Sequence, residues 1–322
     1  MKKIVYIFIL SQLCYGLTNF VCGQQMPYYT QFTSNAFMLN PAIAGTKGIV
    51  NACVNYRMQW VGFDDAPRTA GVSLHSRLAN GKMGLGGFVI QDKVGPTQQT
   101  NMGASYAFHI HFPDCELSAG VAGHYTQFSL IGSKMFLHNT QDPAIDQSVT
   151  NTTGAADANM GLYLYNDRFH IGVSALHVLK AKAEFYKNDN AKKGIIQYTT
   201  QYYASVGYNY SQHPDYIFEN CIFVNYLQGV PLMIDYTLRA HYKQKLITGV
   251  SIRLRDAIAL HLGATIMNNL QVVYSYDILI NRIRTYSSGS HEIMLKYNIN
   301  RSTSDKNGPK VNKFAKQRYS IF

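Results

Sequence analysis

The sequence predicts an all-β protein: a transmembrane antiparallel β-barrel of about fourteen strands with a plug-like N-terminal segment. Three observations lead there. Of 322 residues, 47% are apolar and only 15% charged, with 24 Tyr and 16 Phe against one Trp; soluble domains carry about a quarter charged residues. Side-chain polarity then alternates with a period of two through segment after segment, the pattern of strands with one apolar face. Finally, the connections alternate between short turns and longer loops, as outer-membrane barrels require. The same composition excludes disorder, because apolar and aromatic residues are abundant. Beyond the amino terminus there is no uncharged apolar run of about 18 residues, so a helical membrane bundle is excluded as well. Five Cys in so long a chain do not make a disulfide scaffold.

Residues 1–23 read as a secretory signal peptide. Lys2 and Lys3 precede an apolar stretch from Ile4 to Leu13, and Val21-Cys22-Gly23 offers a small-residue cleavage site after Gly23. Removing the two lysines takes the formal charge from +11 to +9 (11 − 2). Cys14 and Cys22 leave with the signal. Cys53, Cys115 and Cys221 remain without a CxxC or a Cys/His zinc spacing, although one disulfide pair is open to them.

Residues 24–47 are rich in aromatic and amide side chains and do not alternate. Asn40-Pro41 favours a turn. The segment is either a plug folded into the barrel or a lead-in that closes the periplasmic mouth.

Residues 48–300 form the barrel. Strands are expected near 48–61, 68–78, 82–93, 98–112, 115–129, 157–166, 168–178, 198–210, 216–228, 231–243, 246–255, 257–267, 270–281 and 289–300. In the first, Val50, Ala52, Val54, Tyr56, Met58 and Trp60 alternate with Asn51, Asn55, Arg57 and Gln59. A helix would put Arg57 and Trp60 on similar faces, so the helical reading fails there. Short turns such as Pro113-Asp114, Asn166-Asp167 and Asn268-Asn269 follow even-numbered strands, while the long connections 130–156 and 179–197 follow odd-numbered ones. That parity places the long loops outside and both termini in the periplasm of an outer-membrane barrel. Residues 301–322 form a basic tail, with Arg301, Lys306, Lys310, Lys313, Lys316 and Arg318 against Asp305. It either docks an acidic partner or anionic headgroups, or is simply solvated.

The box Gln31 to Gly45, containing Leu39, Asn40, Pro41 and Gly45, is followed by Tyr56-Arg57-Met58-Gln59-Trp60-Val61-Gly62, by Ala66-Pro67-Arg68-Thr69, by Gly84-Leu85-Gly86, and by Asp92-Lys93-Val94-Gly95-Pro96-Thr97. This series resembles the PorP/SprF family of the type IX secretion system of Bacteroidota over most of the mature chain. The resemblance implies an integral outer-membrane barrel, akin to fatty-acid-transporter barrels, that supports export or surface attachment of cargo proteins and gliding adhesins. It also implies periplasmic ring and peptidoglycan-binding partners and cargo with a C-terminal sorting domain.

Residue by residue, Arg57 and Gln59 are expected on the lumen face, with Asp235 or Glu219 as carboxylate partners for Arg57. Trp60 suits an aromatic girdle. The loop 91–98 is expected outside, either as a cargo contact or as a simple chain reversal. His75, His109, His111, His124, His170, His241 and His261 read as polar lining, and no metal or cofactor is expected. No GxSxG, HExxH or phosphate loop occurs, so no catalytic residues are assigned and the protein is not expected to be an enzyme. Nucleic acid is not an expected partner despite the positive charge. Two functions stay open: an assembly component of type IX secretion that scaffolds partners, or a barrel channel for small apolar ligands.

Overall fold

The computed structural model describes residues 27–48, 50–78, 81–135, 150–185, 194–267 and 269–299. The signal peptide, the basic tail with Lys306, Lys310, Lys313, Lys316 and Arg318, and the loop stretches 136–149 and 186–193 lie outside the described residues. In chain order the strands are β1 (Val50–Met58), β2 (Arg68–Arg77), β3 (Met83–Val94), β4 (Thr97–His111), β5 (Glu116–Ile131), β6 (Thr150–Tyr165), β7 (Phe169–Leu176), β8 (Lys182–Phe185), β9 (Gly194–Gln197), β10 (Gln201–His213), β11 (Tyr216–Leu227), β12 (Met233–Tyr242), β13 (Leu246–Arg253), β14 (Ala257–Met267), β15 (Leu270–Leu279) and β16 (Ser290–Ile299). Fourteen of them close an antiparallel barrel in which chain neighbours pair, β7 pairs with β10, and β1 pairs with β16. The closing seam is complete, from Val50 opposite Ile299 to Met58 opposite His291. Closure leaves no strand edge, the condition for crossing hydrocarbon, where each backbone polar group needs an internal partner.

Alternation sorts the side chains onto two faces. In β1, Asn51, Cys53, Asn55 and Arg57 are buried inside, while Val54, Tyr56 and Met58 are exposed outside. In β2, Thr69, Ser73 and His75 face inward, and Val72 and Leu74 are about half exposed on the outer wall. An outward apolar surface of this extent far exceeds the few hundred Å² that a soluble monomer leaves open. It is a lipid-facing band.

The wall strands match the expected fourteen, with two differences in the long connections. The connection 179–197 holds a separate hairpin of β8 and β9. The sixth wall strand, β6, begins at Thr150 rather than near 157 and stays paired with β5 out to Ile131 opposite Thr150. Residues 150–154 are Thr-Asn-Thr-Thr-Gly, so no apolar alternation announces them. Past the lipid band a strand needs no apolar face, and β-branched threonines suffice to extend it.

The barrel has a turn end and a loop end. The turn end carries the short reversals with the start of β1 and the end of β16. At the loop end, connections brace one another: Val61 N–H donates to Gly289 O (2.8 Å), Gly95 N–H to Asp65 O (3.1 Å) and Ile131 N–H to Pro96 O (2.8 Å). Residues 28–46 pack inside the lumen. Tyr28, Tyr29, Phe32, Phe37, Met38, Leu39 and Ile43 join Phe88, Ile90, Leu176, Tyr203 and Phe223 of the inner wall in one apolar cluster. The rings of Phe32 and Phe223 stack at 4.3 Å.

Candidate functional site

The seat of the N-terminal segment in the lumen is the most constructed feature of the molecule. At its loop-end side, five strands contribute charged residues near their ends: Arg57 on β1, Asp235 on β12, Arg253 on β13, Asp277 on β15 and Glu292 on β16. Arg57 meets Asp277 at 2.7 Å and Glu292 at 3.1 Å. Arg253 meets Asp256 at 2.8 Å and both Asp235 and Asp277 at 3.4 Å. Apart from Asp256, these side chains are almost fully buried. Charges so far from water persist only when paired and hydrogen-bonded on their remaining sites.

The segment supplies those remaining bonds. Thr30 N–H and Gln31 N–H donate to the two oxygens of Glu292 (2.8 and 3.2 Å). The Thr30 hydroxyl donates to Asp277 (2.9 Å) and accepts from Arg57 (2.7 Å) and Arg253 (3.0 Å). Tyr28 OH donates to Asp235 (2.7 Å), and its ring lies 3.9 Å from the Arg253 guanidinium. Gln31 Nε2 donates to the carbonyls of Val273 and Glu292 and to Ser275 Oγ. Thr30 therefore sits level with the far end of β1, and the chain crosses the lumen from loop end to turn end before β1 begins.

At the turn-end side the motif Leu39-Asn40-Pro41-Ala42-Ile43-Ala44-Gly45 is held through its backbone. Asn40 caps a short 3-10 turn, its Oδ1 accepting from Ala42 N–H (2.9 Å), with Pro41 at the first position. Its Nδ2 donates to the carbonyls of Leu162 on β6 and Val173 on β7. Wall side chains bond the box carbonyls in turn: Ser174 with Leu39 O (2.6 Å), Ser118 with Ala42 O (2.6 Å), His109 with Ala44 O (2.9 Å) and Arg77 with Gly45 O (2.9 Å). Glycines on the wall permit this approach. A side chain at Gly84 would meet Ala44 O at 2.0 Å, and one at Gly120 would meet Ala42 N at 2.3 Å. Arg77 in turn pairs with Glu116 at 2.6 Å.

The other motif residues are brought together at the loop end, away from the box. Gln59 and Trp60, expected on β1, lie past its end at Met58: Gln59 N–H donates to Pro67 O (2.9 Å), and Trp60 N–H donates to Ser290 Oγ (3.1 Å). Gly62 takes a positive φ of 116° against the Tyr286 carbonyl. Asp92 accepts from Thr69 (2.6 Å) across β2 and β3, Lys93 is exposed, and Gly95-Pro96 turns β3 into β4. Tyr56 faces lipid. Arg57 does face the lumen, but its partners are Asp277 and Glu292. Asp235 instead serves Arg253, and Glu219 accepts from His241 at 3.1 Å. Sequence reasoning missed Tyr28, Thr30 and Asp277. The available signal was charge of lumen parity recurring near the same end of several strands.

Of the histidines, His75, His109, His124 and His261 are buried inward, while His111 lies at the end of β4 near Glu116. Among the described residues no cluster of His, Cys, Asp and Glu converges as a metal site, and Cys53, Cys115 and Cys221 are free. Outside the spanning strands, Lys134 hydrogen-bonds Asp65 and holds its carboxyl below the usual carboxylate range.

A family model described as type IX secretion system membrane protein PorP/SprF matches residues 21–297. No curated protein matches the chain. Among solved structures, a deletion mutant of the TodX monoaromatic hydrocarbon channel is similar at 11% identity and a TM-score of 0.49, covering 88% of this chain and 98% of that one. The CymD monoaromatic hydrocarbon channel is similar at 12% identity and a TM-score of 0.49, covering 87% and 95%. The Acinetobacter baumannii outer membrane protein Omp33 is similar at 9% identity and a TM-score of 0.47, covering 79% and 100%.

Proposed function

The chain belongs to the PorP/SprF family of type IX secretion system membrane proteins and is a fourteen-stranded barrel of the outer membrane, and from that premise we propose that it works as a non-catalytic scaffold for secreted or surface-attached cargo. The observation that carries this reading is the occupied lumen. Residues 28–46 are bonded to the inner wall at both ends, so the segment acts as a plug and cargo is met at the surface rather than passed through. On this reading the loop end faces outward, with the connections between β5 and β6 (132–149) and between β7 and β10 meeting a secreted protein that bears a C-terminal sorting domain. The turn end and the basic tail face the periplasm, where periplasmic ring and peptidoglycan-binding components dock.

Deleting the gene and profiling surface and secreted proteins tests the proposal. The expected result is loss of one or a few large surface proteins, restored by the native gene. An unchanged surface profile together with reduced uptake of a small apolar solute would overturn the scaffold in favour of a channel. Truncation after Asn300 separates the periplasmic part of the proposal: undiminished co-purification of periplasmic partners would remove the tail from it.

A further inference from the structure

At the loop end, the rim over β13 to β16 carries three arginines without a carboxylate of their own. Arg255 stands in the reversal Leu254-Arg255-Asp256 between β13 and β14, and Arg282 and Arg284 stand in the connection between β15 and β16. All three are exposed. Among the described residues none of them forms an ion pair: Asp256, the one carboxylate of these two connections, is taken by Arg253 (2.8 Å) and by Asn281 Nδ2 (2.8 Å). Across the same end, Lys134 has Asp65 as its partner. Arg255 also holds a positive φ of 64°, where glycine or asparagine is the ordinary choice.

These arginines begin where the apolar band stops. Leu254 and Ile280 continue the outward rows of Ile252 and Ile278 and are 55% and 44% exposed; Arg255 and Arg282 follow them directly along the chain. Backbone bonds lock the two connections together and to the first loop. Ile280 N–H donates to Asp256 O (2.9 Å) and Ser288 N–H to Val61 O (2.8 Å), while Asn281 Oδ1 accepts from Ile283 N–H (3.0 Å) to cap the short 3-10 turn that bears Arg282 and Arg284. Tyr286 beside them is 72% exposed, its ring 6.4 Å from that of Phe63. Below, Tyr274 OH hydrogen-bonds His291 Nδ1 (2.6 Å) on the outer wall. Amphipathic rings at the end of an apolar band mark the headgroup level of a membrane. Guanidinium groups at that level match phosphate in charge and in hydrogen-bond geometry. An acidic protein surface has the same charge but would meet the rim above this level, so the position favours a lipid. We propose that the β13–β16 rim docks the phosphate groups of the outer leaflet's glycolipid, with Arg255, Arg282 and Arg284 as phosphate partners and Tyr286 and Phe63 flanking them. The choice of leaflet rests on the outward orientation given to the loop end above, and not on the scaffold role. Bound lipid fixes the depth at which this side of the barrel stands in the membrane.

The test titrates the full mature protein, in an uncharged detergent, with diphosphorylated lipid A, with lipid A stripped of its phosphates and with phosphatidylglycerol, and reads bound lipid by native mass spectrometry. The native chain should bind the phosphorylated lipid A most tightly, and less of it as salt rises. Replacing Arg255, Arg282 and Arg284 together by Gln should weaken that binding about tenfold or more and leave the unfolding midpoint unchanged, since all three side chains are exposed. The matched control removes three exposed turn-end cations, Arg168→Gln with Lys243→Gln and Lys245→Gln, and should bind as the native chain does. Equal weakening in the control would reduce the effect to net charge and overturn the site. Equal binding of the stripped lipid, tighter binding of phosphatidylglycerol, or undiminished binding in the rim variant would overturn it as well. Loss of a surface protein from cells carrying the rim variant, with lipid A binding intact, would give the arginines to a protein partner instead. Orientation is read apart from all of this by a membrane-impermeant thiol reagent on intact cells carrying Thr285→Cys. Labelling above the native chain is expected. Its absence would overturn the outward loop end and the choice of leaflet with it, whereas labelled cells and no lipid A binding would sink the headgroup site alone.

Discussion

At the loop end of the lumen, Thr30 is held between two guanidinium groups and two carboxylates drawn from four strands. At the turn end, Leu39 to Gly45 is held largely by hydroxyl, amide and imidazole groups that bond its backbone one by one. These two modes fail differently. A neutral hydrogen bond contributes about 1 kcal/mol net, and its loss is local. A buried charge network is cooperative, because removing one member strands another charge in a medium that cannot solvate it. The loop end is therefore the brittle fastening and the turn end the distributed one.

The sharpest way to break this comparison is Arg57→Met. It leaves Asp277 and Glu292 without their shared cation, and breaking such a buried pair costs about 3–5 kcal/mol. The expected outcome is a large drop in the unfolding midpoint, with residues 27–46 becoming protease-sensitive. Arg57→Met combined with Asp277→Asn should be less damaging than the sum of the single changes, since the two groups are in contact. Additive losses in that cycle would show that the network is not the latch.

Next in size is Gly120→Val. The barrel strand accepts valine readily, but the new side chain occupies the place of Ala42. Overpacking of this kind costs about 1–3 kcal/mol. The box should unseat while the barrel stays closed, giving native-like resistance of the wall to protease and cleavage inside 27–46. A seated segment in this variant would mean that the glycines do not set the approach. Asn40→Ala should cost less, about 1–2 kcal/mol, since it removes a cap and two bonds to wall carbonyls but leaves the other carbonyl contacts. Hydrogen exchange at Ala42 N–H would read it directly.

The same contrast explains what was readable in the sequence. Period two located all fourteen wall strands, because a lipid face and a lumen face impose it on each of them. The turn-end box was recognisable as a motif, since backbone docking constrains residue type through Pro41, Asn40 and the glycines opposite. The loop-end latch was not. Thr30 looks like any threonine in a polar stretch, and nothing local joins it to Asp277, 247 residues away. Parity puts Arg57 on the lumen face, where it lies, but parity says which face a side chain takes and not which carboxylate lies across the barrel. Period two carries Gln59 and Trp60 onto β1, but they lie one and two residues past its end at Met58, because the alternation continues into the loop after the ladder has stopped.

The smallest effect is expected at the surface of the loop end, where Lys134 and Asp65 pair in solvent. Asp65→Asn should leave the unfolding midpoint unchanged at neutral pH, as exposed pairs contribute little. The sign of the pH dependence follows from the depressed carboxyl. Its contribution is present above the ordinary Asp value of about 3.9 and is lost only as pH falls through the lower folded value. The amide of Gly95, which donates to Asp65 O, should keep its exchange protection down to mild acid in the native chain and show the same profile at neutral pH in the variant. A midpoint drop in Asp65→Asn as large as that of Arg57→Met would mean that the loops, and not the buried charges beneath them, hold that end of the barrel together.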